Sequence, residues 1–428
     1  MRIQATLGQG IASAIWRNRR TIPALRGERI AWRPRLSSVP MAVYLDHAAT
    51  SPLHPEVLEA MLPYLTKHGG NPSSLHASGR RARQGVDEAR EIIAGRIGAQ
   101  PREIVFTGGG TEADNLAVKG VAWAASPRGR HLITTAVEHK AVLNTTAVLE
   151  RSGFELTVLP VDRYGSVDPI DVAAALTERT TLVSVMAANN EVGTVQPIAA
   201  IGEIVRGHGA KLHVDAIQFA AHEPIDVDAW QADLVSLSAH KLGGPQGVGA
   251  LFVRRGTQLL PQLQGGSQER QRRAGTENVA GIVGFGAAIR LASGDADALD
   301  RLRGLCGRLR DELLGFDGVD LTGHPVDRLP NNVSVVIDGV EGGDLVAALD
   351  LEGVETSTGS ACTSGSAEPS HVLLAMGIDP HLAHGSLRLT LGPETAEADI
   401  DATLGALRIV LPRLRSIRGA QPKATVPA

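Results

Sequence analysis

The 428-residue chain is poor in cysteine, lysine and aromatic residues, and each scarcity removes a class of protein. Two cysteines, Cys306 and Cys362, exclude a disulfide-stapled secreted scaffold and a cysteine-rich zinc site. The 14 histidines show no HExxH spacing, and there is no CxxC, so no metal site is expected. Aromatics at 3% argue against base-stacking platforms, and a formal charge of -4 gives no pull toward nucleic acid. No apolar run reaches the roughly 18 residues that a membrane-spanning helix needs. What remains is an ordinary globular balance, 43% hydrophobic and 21% charged with a mean hydropathy of +0.00. That balance excludes wholesale disorder, and the length suggests roughly two or three domains with cores that need no staples.

Charge is spread unevenly. Residues 1–40 hold eight Arg, no Lys and one acidic residue, Glu28, for a net of +7 that leaves -11 on the other 388 residues. We read this arm as a disordered extension, or as upstream sequence translated ahead of Met41. An Arg-rich targeting arm is the alternative, which keeps an organelle address open beside a cytoplasmic one.

From Val43 the chain alternates short apolar runs with longer helical ones. Strands are predicted at 103–107, 131–135, 154–160, 181–186, 212–214, 234–237 and 249–254, with helices at 111–125, 140–151, 167–176 and 198–207 between them. This alternation predicts an α/β layered domain with a mostly parallel sheet flanked by helices. Ligands in such sheets sit at the carboxyl ends of strands, so the polar residues there are the ones to inspect. After about residue 292 the pattern becomes that of a smaller α+β domain, with helices at 298–314, 343–351 and 395–414 and strands at 333–337 and 386–391. The expected division is a basic extension (1–40), a large domain (41–291) whose first residues can pack with the small one, a small domain (292–418) and a tail (419–428).

Five segments at strand ends or in loops carry chemistry. Thr107 to Thr111 puts three glycines before a helix, where Gly110, Thr111 and the free N–H groups suit a phosphate; a turn capped by Thr111 explains it equally well. Asp215 ends a strand. Ser238, His240 and Lys241 follow another, and Lys241 is one of six lysines against 36 arginines. An amine kept in so Arg-biased a chain points to Schiff-base chemistry, which arginine cannot perform. A strand-end Asp followed 26 residues later by a strand-end Lys suggests a pyridoxal phosphate site, the Asp pairing with the pyridine nitrogen. His139 follows a strand and can cover the ring and move protons; Lys140 beside it is a rival, lower-ranked amine. Residues 357–367 contain no large apolar anchor, which predicts a mobile, exposed loop. A thiol there, Cys362, suggests a nucleophile. Cys306 falls on an apolar helix stripe and reads as a core residue. Arg388 alternates against Leu387 and Leu389; it either clamps a carboxylate or lies on the wet face of an edge strand.

Together these residues resemble the cysteine desulfurases of the NifS/IscS type, within the class V aminotransferases. The marks are YLDHAAT (44–50), GNPSSLH (70–76), TGGGTEADNLAVKG (107–120), EHKAVL (138–143), ANNEVGTVQPI (188–198), HVDAIQ (213–218), SLSAHKLGGPQGVGAL (236–251), RRAGTENV (272–279) and STGSACTSGSAEPSHVL (357–373). The resemblance implies pyridoxal-phosphate fold type I. It also implies that Lys241 carries pyridoxal 5'-phosphate, Asp215 pairs with its ring nitrogen and Gln218 with its hydroxyl oxygen. His139 stacks on the ring; Thr111, Ser238 and His240 bind the phosphate; Thr276 reaches the partner subunit's cofactor. Asn190 and Arg388 hold the carboxylate of L-cysteine, and Cys362 takes its sulfur as a persulfide, leaving L-alanine. A homodimer passing sulfur to an iron–sulfur scaffold, or to a carrier for tRNA thiolation, is implied, with no direct nucleic acid and no membrane. A selenocysteine lyase or another class V enzyme is the alternative. Gly110 stands where the family often has Ala, and the short C-terminus leaves the acceptor open.

Overall fold

The computed structural model describes residues 42–292, 296–359 and 368–419. The basic arm at 1–40, Cys362 with most of its loop, and nearly all of the tail therefore lie outside the described residues.

The described chain opens with β1 (Val43–Tyr44), α1 (Pro55–Thr66) and α2 (Ala77–Arg96). Strands and helices then alternate: β2 (Ile104–Thr107), α3 (Gly110–Ala125), β3 (His131–Thr135), α4 (Lys140–Arg151), β4 (Glu155–Leu159), α5 (Pro169–Ala175), β5 (Thr180–Met186) and α6 (Ile198–His208). β6 (Lys211–Asp215), β7 (Leu234–Ser238) and β8 (Gly249–Val253) complete the set. These strands form a seven-stranded sheet in the order β2-β8-β7-β6-β5-β3-β4. Only β8 runs antiparallel to its neighbours β2 and β7. β2, β3, β5, β7 and β8 are buried along their whole length, as expected of strands covered on both faces by helices.

Two apolar layers sandwich this sheet. One gathers Phe252, Phe285, Ile93 and Val214 with the helices α1, α2 and α7 (Val279–Leu291); the other packs α3 against Leu132, Leu182 and Leu251. Each fully buried large side chain here contributes about 2–3 kcal/mol of apolar burial. α1, α2 and α7 are additions to the predicted elements, since none of the three follows the strand–helix alternation. α2 and α7 cross closely because Gly286 lies against Ala89, where a Cβ would meet the Ala89 Cβ at 2.9 Å.

The remaining chain comprises α8 (Ala296–Leu313), β9 (Val319–Leu321), β10 (Asn332–Ile337), α9 (Gly342–Leu351), β11 (Val354–Glu355), α10 (His371–Ala375), α11 (Pro380–Ala383), β12 (Ser386–Thr390) and α12 (Glu397–Arg418). β12, β10 and β9 make a three-stranded antiparallel sheet with its own core, to which α8 contributes Leu302, Leu305, Cys306, Leu309 and Leu313. Cys306 is thus a core residue, and burial pushes its thiol up to about 11. β1 pairs in parallel with β11, so the first described strand joins the later part of the chain.

Candidate active site

The carboxyl ends of the parallel strands converge on a cavity of about 400 Å³. Its walls include Gly110, Thr111, His139, Asn190, Asp215, Gln218, Ser238, His240, Lys241 and Arg388, which are ten of the twelve residues that the sequence put forward as site residues. Lys140 lines it as well, so both residues that offered a candidate amine belong to the same cavity.

Lys241 ends a 3₁₀ turn, Ala239–Lys241, directly after β7. Its Nζ donates to the backbone carbonyls of Ala48 and Ala49, each at 2.6 Å. Asp215 is the last residue of β6, and its Oδ1 accepts from the Ile217 N–H at 3.0 Å. Burial pushes its carboxyl up, while His139, that backbone donor and Lys241 pull it back toward the charged form. Gln218 donates to the Ala48 carbonyl at 2.9 Å, which leaves its amide a second N–H. His139 caps α4: its Nδ1 accepts from the Ala141 N–H at 3.1 Å, which fixes the ring over the start of the helix.

Another part of the cavity wall suits an anion. α3 starts at Gly110 with no side-chain cap, so its first N–H groups face outward with the positive end of the helix dipole. Ser238 Oγ is buried and has no hydrogen-bond partner among the described residues. The His240 ring bonds the Thr50 hydroxyl at 3.2 Å, and burial, helped by Lys241, lowers it to about 4. A Cβ on Gly110 would lie 2.2 Å from Ile217 Cδ1, so this glycine and Ile217 are a matched pair. A buried hydroxyl without a partner, at a helix start that no side chain caps, fits a phosphate group. Lys241 and Asp215 beside it fit the aldehyde and ring nitrogen of pyridoxal 5'-phosphate.

Arg388 corrects one sequence alternative. It lies in an edge strand but is 2% exposed, because β12 is flanked by the stretches around Asp46 and Ser357. Its Nη2 pairs with Asp46 Oδ1 at 2.7 Å, and its Nη1 donates to the carbonyls of Asn190 at 2.8 Å and Gly359 at 3.2 Å. The wet-face reading therefore fails: the polar face of this strand is covered by chain that is distant in sequence. Thr276 lines neither this cavity nor the adjoining one at the start of α3, and is exposed. Cys362 lies outside the described residues, although Gly359 and Glu368, on either side of its loop, both line the cavity.

The class-V aminotransferase family matches residues 43–403. The chain belongs to this family. It is 51% identical over 377 residues to a cysteine desulfurase IscS of Dictyoglomus turgidum, covering 88% of this chain and 96% of that one. It is 48% identical over 383 residues to a cysteine desulfurase IscS of Methanosarcina thermophila, covering 89% and 95%. A solved NifS-like protein superposes with a TM-score of 0.82 at 36% identity, covering 87% of this chain and all of the other. A solved structure of SspA in complex with cysteine gives 0.74 at 35% identity, covering 82% and 99%. The fold is that of the NifS-like members, pyridoxal-phosphate fold type I.

Three wall-building features are not legible in the sequence by itself. The segment around Asp46, Ala48 and Ala49 shows there only as part of a motif. Glu138 is buried beneath the site, accepting from Thr135 Oγ1 at 2.9 Å and Met186 N at 2.8 Å, and burial pushes it up to about 8. Glu191, with Ser370 Oγ donating to it at 2.5 Å, ties the wall beside Asn190 to the start of α10. None of these follows a rule of spacing; each is assembled from distant residues.

Proposed function

We infer that this chain is a pyridoxal-phosphate-dependent cysteine desulfurase that converts L-cysteine to L-alanine and a persulfide on Cys362. The observation that carries this reading is the convergence of Lys241, Asp215, Ser238 and Arg388 on one cavity, in a chain about half identical to cysteine desulfurases over nearly all of their length.

When bound, the cofactor supplies an electron sink that makes the α-proton of the amino acid acidic. Gly110 and Thr111 at the helix start, with Ser238 and His240, hold its phosphate. Asp215 holds a proton on its ring nitrogen, and Gln218 donates to its ring hydroxyl oxygen. His139 covers the ring. Arg388 and Asn190 would orient the substrate carboxylate, and the Lys241 amine would serve as the base for the α-proton. The Cys362 thiolate attacks the substrate sulfur; the Cβ–S bond breaks with its electron pair left on the carbon skeleton, an S–S bond forms on Cys362, and protonation at Cβ and at Cα completes L-alanine.

The finer assignments belong to the same reading. Residues 41–291 supply the cofactor residues, and 292–418 supply Arg388 and Cys362. A homodimer accounts for the exposed Thr276 and for the exposed leucines 58, 62 and 65 along α1. The persulfide passes to an iron–sulfur scaffold or a sulfur carrier in the cytoplasm. Among the described residues no helix is long and apolar enough to cross a membrane.

The test is incubation of holoenzyme with L-cysteine and a reductant, measuring alanine and sulfide together. Equal yields are expected. Cys362→Ser should retain the cofactor's visible absorbance and release no sulfide; sustained sulfide release from that variant would defeat the persulfide step.

A further inference from the structure

The Arg388 guanidinium already has an anion. Asp46 Oδ1 lies 2.7 Å from Nη2, and two backbone carbonyls take Nη1. Nε is buried and has no hydrogen-bond partner among the described residues. A cation this deeply buried is costly unless a carboxylate neutralises it, and Asp46 does so before any ligand arrives. We propose that Asp46 is a positioning residue that acts as an internal counter-ion, competing with the carboxylate of substrate and product for Arg388. This deepens the desulfurase reading and rests on it.

A second carboxylate approaching Arg388 meets a guanidinium whose charge is already balanced, and it meets Asp46 as a like charge. Its affinity is therefore lower than a bare buried arginine would give. L-alanine leaves with the carboxylate that L-cysteine brought, so the competition also favours product release. Asp46 is connected to the reacting amine as well. Two residues further on, the carbonyls of Ala48 and Ala49 hold Lys241 Nζ, and the Ala48 carbonyl also takes Gln218. Thr50 and Ser51 then bond His240 Nδ1 and the His240 carbonyl. The stretch 46–51 thus touches the carboxylate seat with Asp46 and the cofactor seat with Ala48 to Ser51. Displacing Asp46 from Arg388 bears directly on the carbonyls that hold Lys241.

The test uses holoenzyme and follows visible absorbance while ligand is added. Ligands are L-alanine and cysteamine, which carries an amine and a thiol but no carboxylate. In Asp46→Asn, L-alanine should bind about five- to tenfold tighter and cysteamine should stay within about twofold. The KM for L-cysteine should fall together with kcat, because product leaves more slowly. Unchanged or weaker L-alanine binding overturns the proposal. So does a parallel shift of both ligands, which marks a purely structural role. A measurement on the wild type tests the same point even if the variant fails to fold. L-alanine should bind less than about tenfold tighter than L-alaninamide, whose amide replaces the carboxylate; a larger ratio means that Arg388 is not pre-neutralised. Both titrations are read without turnover. Absence of L-cysteine-dependent sulfide from wild type would instead count against the desulfurase reading.

Discussion

The two walls of the cavity are built by different rules. The seven-stranded sheet contributes Asp215, Ser238 and Lys241 from the ends of adjacent parallel strands, where side chains meet a crevice by the geometry of the layer. The three-stranded sheet contributes Arg388 from the middle of a strand, at a position paired with Ser334 and enclosed by chain from around Asp46 and Ser357. The first wall follows from local order along the chain. The second exists only because segments more than 300 residues apart in sequence are brought together. Residues of the first kind can be placed from a strand prediction; for residues of the second kind a strand prediction leaves open what covers them.

That contrast can be broken experimentally, beginning with the largest effect. Lys241→Ala removes the amine on the large-sheet wall and should lower turnover by about three orders of magnitude or more, with loss of the visible absorbance of the bound cofactor. An unchanged spectrum would move the assignment to Lys140. On the other wall, Arg388→Lys keeps the charge but loses the planar fork. It should raise the KM for L-cysteine about three- to tenfold, with a smaller change in kcat and an intact cofactor spectrum. A spectrum that changes as much as in Lys241→Ala would erase the distinction between the walls.

A smaller effect separates their supports. Glu138 has an ordinary value of 4.5 and is raised by burial to about 8. The folded state therefore binds more protons than the unfolded state between those values. Stability that is present below about 4.5 is lost as pH rises toward 8. Glu138→Gln removes this dependence, so the Tm difference between about pH 5.5 and pH 8.5 should shrink by a few degrees relative to wild type. The smallest effect concerns the core of the small sheet. Cys306→Ala should cost about 1 kcal/mol and leave kcat unchanged. With its thiol pushed up to about 11, Cys306 should also resist thiol reagents in the folded protein. Labelling should reach one cysteine per chain, Cys362.

Much of the large sheet is legible in the sequence because its strands are short apolar runs separated by amphipathic helices. α7 is not, because VAGIVGFGAAIRL is apolar all round, as a helix wedged between α1 and α2 should be, and it shows no stripe. Cys306 is legible from its spacing with Leu302, Leu309 and Leu313. Arg388 is ambiguous because alternation distinguishes two faces of a strand and says nothing about what covers either one.

The chain's own order of residues determined the layered fold, the strand-end amine and acid, and the family to which they belong. Those depend on local periodicity and on which side chain follows which strand. Tertiary structure alone decided that Arg388 is buried, that Asp46 neutralises it, that Glu138 lies beneath the site and that Lys140 shares the cavity with Lys241. Those facts depend on close approach between distant segments. Desolvation and charge act through space at a few ångströms, and separation along the sequence does not enter them.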